Sequence, residues 1–195
     1  MGNAFALAAL SSLGFYTMAG YFVTYLTTSV GTPQSAALIS NSIALVVVFA
    51  SMVLGAALSD RVGRRTIMLA GVVASAIVCI PAYMVAARGG LVNAIVGQCL
   101  LAFPLGFFFG PSGVAILEFF PTRVRLSGAL LSYNVAYAIF GGSAQLLSTW
   151  LILVTGDKLA PAYYMLVLAV IVVVVLLRLP ETSSETLVHV EDRTS

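Results

Sequence analysis

Ser29-Val30-Gly31-Thr32-Pro33-Gln34 is the one convincing polar, helix-breaking run within the opening 59 residues, which precede the first charged side chain, Asp60. Drawn as a single helix, that stretch would extend about 88 Å at 1.5 Å per residue, whereas a bilayer core is only about 30 Å thick. The chain must therefore turn, and the Gly31/Pro33 run marks the place. It leaves two apolar segments, about 4–28 and 35–58, each long enough to cross a bilayer once.

Working outward, uncharged stretches recur at about 66–87, 91–117, 126–154 and 161–177, giving six spans. Runs such as Ile171-Val172-Val173-Val174-Val175-Leu176 do not alternate apolar with polar residues, which argues against the strands of a membrane barrel. Charged residues make up 8% of the 195 and apolar residues 61%, too little polar surface for a water-soluble globule. The expected fold class is an all-α membrane protein with a six-helix transmembrane domain over residues 1–182 and a polar tail at 183–195.

Charges fall in the connections and the tail, as the cost of placing an unpaired charge at bilayer depth requires. Arg61, Arg64, Arg65, Arg123, Arg125, Arg178 and Arg193 fall on one side and only Arg88 and Lys158 on the other. The positive-inside bias then puts both termini, and the tail, in the cytoplasm of a cell-membrane protein. Met1-Gly2-Asn3-Ala4 has no positive n-region, and the apolar stretch that follows is too long for an h-region, so no cleavable signal is expected.

No span holds an acid, a base or a histidine, and the only histidine, His189, is in the tail. Proteolysis, haem ligation and proton relays all require such groups at depth, so an enzyme is not expected. Cys79 and Cys99 read as small buried apolar residues, and no metal or other cofactor is implied. A net charge of +2 without a basic run argues against a nucleic-acid partner.

Between the second and third spans lies Leu58-Ser59-Asp60-Arg61-Val62-Gly63-Arg64-Arg65-Thr66. Asp60 sits where one helix ends and the next begins, within reach of Arg64 or Arg65, and Gly63 permits a tight reversal. Taken alone, the run is also what a positive-inside anchor with a casual ion pair looks like. After the fourth span comes Glu118-Phe119-Phe120-Pro121-Thr122-Arg123-Val124-Arg125, in which Glu118 can offset Arg123 or Arg125. Tyr133-Asn134-Val135-Ala136-Tyr137, Phe140-Gly141-Gly142, Pro161-Ala162-Tyr163-Tyr164 and Leu179-Pro180-Glu181-Thr182 follow in that order.

Asp-Arg-x-Gly-Arg-Arg after a second span resembles the signature loop of the major facilitator superfamily. Together with the later segments, from about Gly14 to Thr182, the chain resembles the C-terminal six-helix half of the metabolite:proton symporter family. Two departures stand out. The family puts glycine four residues before the aspartate, where Ala56 stands here beside Gly55, and it more often has proline shortly after the paired glycines, where Gln145 stands here, which predicts a straighter helix. The resemblance implies a twelve-helix carrier working by alternating access, with a small-molecule substrate and a proton as ligands. This sequence supplies six of the helices, so the implied partner in the lipid bilayer is an N-terminal six-helix half or a second copy of the chain.

Polar residues at bilayer depth are the substrate-site candidates: Tyr16 and Tyr21 (with Tyr25 on the same face as Tyr21), Asn41, Gln98, and Asn134 with Tyr137 three residues on. The tyrosines read equally as an aromatic packing stripe or interfacial belt, and the amides as interhelical hydrogen bonds. Pro104 with Gly106, Gly110, Pro111 and Gly113 reads either as a hinge or as tight packing. Asp60, Arg61, Gly63, Arg64, Arg65, Glu118, Arg123 and Arg125 suit a cytoplasmic gating network better than ligand binding. The function expected is proton-coupled symport of a small organic acid or zwitterion, in the class of citrate, 2-oxoglutarate, shikimate, proline and betaine. The alternatives are a sugar or drug carrier of the same superfamily, and a non-transporting membrane fragment or assembly partner.

Overall fold

The computed structural model describes residues 2–118 and 125–178, with the side chains of residues 2, 3, 118 and 125 left out. Six helices in it are long and apolar enough to cross a membrane: α1 (Ala4–Val30), α2 (Gln34–Val62), α3 (Arg64–Ala86), α4 (Leu91–Leu117), α5 (Leu126–Thr155) and α6 (Ala160–Arg178). By length and composition all six can cross a bilayer, so the described residues form an all-helical bundle of six membrane-length helices.

Each turn is made by residues that suit it. Gly31, at φ +79°, closes α1, the Thr32 amide bonds back to the Leu26 carbonyl, and Pro33 leads into α2. Gly89 and Gly90, both at positive φ, join α3 to α4. Gly156 ends α5, and the Asp157 carboxylate then accepts the Leu159 amide just before α6 begins.

The second turn is tighter than expected. α2 continues through Ser59, Asp60, Arg61 and Val62, and the whole reversal is made by Gly63 at φ +108° and ψ +139°. Sequence places the end of the span near residue 58 because charge marks the edge of the apolar core. A helix that leaves the core, however, keeps its backbone hydrogen bonds by continuing, and the Gly63 amide still reaches the Ser59 carbonyl.

α1 is the innermost helix, packed against α4, α5 and α6. Its Leu7, Leu10, Leu13, Met18, Tyr21, Phe22, Tyr25 and Leu26 are fully buried. Lipid supplies little hydrophobic drive between helices, so close approach of small residues takes over where α2 and α4 meet. A side-chain carbon at Gly55 would lie 2.8 Å from the Phe107 Cα, and one at Gly106 would lie 2.7 Å from the Val48 carbonyl oxygen. Gly55, rather than the glycine expected at position 56, makes this approach. Pro104 and Pro111 lie within an unbroken α4.

Two helices depart from regular α geometry. α1 carries π-helical turns at Thr17–Tyr21 and Tyr25–Val30, and α5 carries one at Tyr137–Gly141. Lack of a proline after Gly141-Gly142 does not leave α5 regular. The irregularity falls where Gly141 approaches α1 so closely that an added carbon would lie 2.6 Å from Ser12 Oγ and 2.7 Å from the Tyr16 ring.

Candidate functional site

The structure sorts the polar residues at bilayer depth into three places. The first is a sealed hydrogen-bond node. Gln98 of α4 is fully buried; its Nε2 donates to the Met18 carbonyl of α1 at 2.9 Å and to Asn41 Oδ1 of α2 at 2.7 Å, and its Oε1 accepts from Ser40 Oγ at 2.9 Å. Both donors and the acceptor are engaged, so Gln98 and Asn41 tie three helices together. Met18 belongs to the first π-helical turn, which places the irregular part of α1 against the node.

The second place is a cavity of about 300 Å³ lined by Ser11 and Phe15 from α1, Met52 from α2, Phe109, Ser112 and Gly113 from α4, and Tyr133 and Tyr137 from α5. Ser11 and Phe15 lie seven and eleven residues into α1, about 10 to 17 Å from its start at 1.5 Å per residue, and Ser112 and Gly113 lie five and four residues from the end of α4. Tyr137 stacks on Tyr133 with ring centroids 4.0 Å apart, and Tyr16 meets Tyr137 edge to face at 6.2 Å. Phe15 lies between Tyr16, at 6.0 Å, and Phe109, at 6.4 Å. Ser11 Oγ and Ser112 Oγ lie 3.5 Å apart, each also bonded to a carbonyl of its own helix. Among the described residues, no side chain lining this cavity carries a charge.

The third place is near the other end of α1. Tyr21 is buried against Tyr25 at 6.4 Å and lines a second cavity, of about 330 Å³, with Thr28, Ser29, Thr149, Gly156 and Lys158. Tyr25 and Tyr83 pack with centroids 5.0 Å apart, and neither hydroxyl has a hydrogen-bond partner among the described residues.

Of the sequence candidates, Tyr16 and Tyr137 are thus brought together, Asn41 and Gln98 form the node, and Tyr21 stands apart. Asn134 is exposed and donates to Leu130 of its own helix, so it does not join Tyr137 at the cavity. Sequence reasoning missed Ser11, Phe15, Phe109, Ser112 and Tyr133. Only Tyr133 had a local signal, its i,i+4 spacing to Tyr137; the others converge through the packing of α1 on α4.

In the signature turn, Asp60 and Arg61 are exposed. Arg65 donates from Nε to the Leu176 carbonyl and from Nη2 to the Leu177 carbonyl at the end of α6. A helix C-terminus offers a guanidinium two carbonyls at once. Arg123 and the 183–195 tail lie outside the described residues, as do the side chains of Glu118 and Arg125.

A family model described as Sugar (and other) transporter matches residues 3–193. The chain is 30% identical over 182 residues to the ectoine/proline transporter ProP of Corynebacterium glutamicum, an alignment covering 93% of this chain and 36% of that protein. It is 31% identical over 160 residues to a citrate-proton symporter of Klebsiella pneumoniae, covering 82% of this chain and 36% of the relative. Against a proline/betaine transporter of Salmonella typhimurium the identity is 29% over 182 residues, again covering 93% of this chain and 36% of the relative. The chain therefore spans about a third of the length of these curated relatives. It belongs to the sugar (and other) transporter family, within the major facilitator superfamily, where its relatives include proton symporters.

Proposed function

We propose that the chain is one six-helix half of a secondary active transporter that moves a small organic acid or zwitterion together with protons by alternating access. The observation that carries this reading is the aromatic and hydroxyl-bearing cavity between α1, α4 and α5. The relatives' names favour this solute class over a sugar or a drug.

The faces left unpartnered support a complementary half. α1 is 67% buried over its most apolar window, against 28% for α2 and 17% for α5. The exposed face of α5 includes Asn134, Gln145 and Thr149, polar groups that are poorly solvated by lipid tails. A second six-helix unit, or a second copy of this chain, would cover α2 and α5 and close the cavity. Every Asp, Glu, Lys, Arg and His lies at a helix end or outside the spans, so we place the proton-carrying group on that complementary half. Both termini and the signature turn face the cytoplasm of the cell membrane, where the Asp60, Arg61, Arg64, Arg65, Glu118, Arg123 and Arg125 cluster biases the inward- and outward-facing states.

The test is uptake of labelled proline, betaine, citrate, 2-oxoglutarate and shikimate by a transporter-deficient strain expressing the chain with and without a complementary half. Accumulation of one of them, abolished by a protonophore, is the expected result. No uptake of any solute in either form would favour an inert membrane fragment.

A further inference from the structure

We propose that Gln145 of α5 is a solute-contacting residue: its amide, laid over Gly20 of α1, stands at the inner end of a polar groove by which the solute enters from the Lys158 side. The inference rests on reading the chain as half of a transporter, and adds to that reading a contact residue and an entry route.

Gly20 and Gln145 stand at matching heights, each ten residues before the end of its span, at Val30 and Thr155. At 1.5 Å per residue that is about 15 Å, well inside a core about 30 Å thick. Gly20 is half-buried within the π-helical turn Thr17–Tyr21, and a side-chain carbon built on it would lie 2.8 Å from Gln145 Nε2. The amide therefore rests on the backbone of α1, in room that a glycine leaves. Other amides in the spans are engaged within the protein: Gln98 with Asn41, Asn93 with the Gly89 carbonyl, and Asn134 with the Leu130 carbonyl. Gln145 is exposed, and among the described residues no hydrogen bond engages its amide. Two N–H donors and a carbonyl held at this depth suit the polar group of a passing solute, which satisfies them as lipid tails do not.

The seam between α1 and α5 is polar on both sides. Thr17, one turn before Tyr21, and Ser148, three residues after Gln145, are buried hydroxyls without a partner among the described residues. Thr149, one turn beyond Gln145, faces the Tyr21 hydroxyl and lines the cavity of about 330 Å³ whose walls also carry Thr28, Ser29 and Lys158. Lys158 is exposed in the turn between α5 and α6, the end that the proposed orientation puts outside. Hydroxyls and an ammonium along one wall favour water and polar solutes over acyl chains. A solute arriving past Lys158 thus meets Thr149 and Tyr21 first and the Gln145 amide one helical turn deeper.

The experiment uses right-side-out vesicles holding the chain with a complementary half, with Cys79→Ala and Cys99→Ala as background. Gln145→Cys, Thr149→Cys and, on the apolar side of the same helix, Leu146→Cys are each exposed to a charged methanethiosulfonate added outside. The first two are expected to react at least about tenfold faster than the third, because the thiolate forms only where water reaches. Whichever of proline, betaine, citrate, 2-oxoglutarate and shikimate the unsubstituted assembly takes up should slow the reaction at Gln145→Cys. Separately, Gly20→Ala displaces the amide and should raise the KM of uptake about fivefold with little change in maximal rate; added to Gln145→Ala, which raises KM alike, it should have no further effect. Labelling of Gln145→Cys no faster than Leu146→Cys, labelling that no transported solute slows, or additive KM effects would overturn the inference, while uptake by the unsubstituted assembly keeps the transporter reading. No uptake by that assembly removes the transporter reading and this inference with it.

Discussion

Arg65, at the start of α3, holds the last turn of α6 by donating to the carbonyls of Leu176 and Leu177, both at 2.8 Å. A residue of the signature turn thereby fixes the end of a helix more than a hundred positions later. It satisfies carbonyls that a helix end otherwise leaves open, and its charge complements the negative end of the helix dipole.

Arg65→Ala should lower stability by about 1 to 2 kcal/mol, the range for a half-buried charged donor. Arg65→Lys should recover only part of this, because an ammonium lacks the fork that reaches both carbonyls. Thermal unfolding in detergent checks the order: native above lysine above alanine. Equal melting temperatures for native and alanine forms would remove the clamp from the account.

Gln98→Leu removes a buried amide that makes three interhelical bonds, at roughly 0.6 kcal/mol each, for a total loss of about 2 kcal/mol. Since Gln98 does not line the aromatic cavity, solute affinity should change less than twofold. Paired melting and binding measurements decide it, and an affinity loss with unchanged stability would make Gln98 a ligand-contacting residue.

Gly106→Val would drive a branched side chain into Val48 and Ser51 across the α2–α4 contact. Overpacking of this kind typically costs about 1 to 3 kcal/mol. Expression and melting should both fall, whereas Gly113→Ala, with nothing within 4 Å of the added carbon, should be silent in the same assay.

Asp60→Asn tests the gating role. Asp60 is exposed, so neutralising it should not destabilise the fold. Transport should slow several-fold while solute affinity stays unchanged, as measured by initial rates against equilibrium binding. An unchanged rate would leave Asp60 as a topological anchor alone.

How much was legible from sequence follows from the range of each interaction. The Gly31/Pro33 turn and the charged turn at Asp60 punctuate the chain locally, so the six helices could be read directly. The four extra residues at the end of α2 could not, because charge marks the edge of the apolar core and not the end of the helix. Gln98 was visible as a polar residue in an apolar span, but its sealed state depends on Met18, Ser40 and Asn41 arriving from other helices. Phe15 and Phe109 look like ordinary apolar residues in a membrane helix, and only the packing of α1 on α4 gives them a shared cavity. Asn134 sits three residues before Tyr137, yet its side chain is exposed and bonds to the Leu130 carbonyl, which spacing alone does not show.

The most direct test of the central claim is solute accumulation in sealed vesicles containing the chain with a complementary six-helix half, under an imposed pH gradient that is acid outside. Uphill accumulation of a small zwitterion or organic acid that collapses when a protonophore is added is the result expected of half of a proton symporter. Solute that only equilibrates, or does not enter at all, while the protein remains folded and inserted, would contradict it.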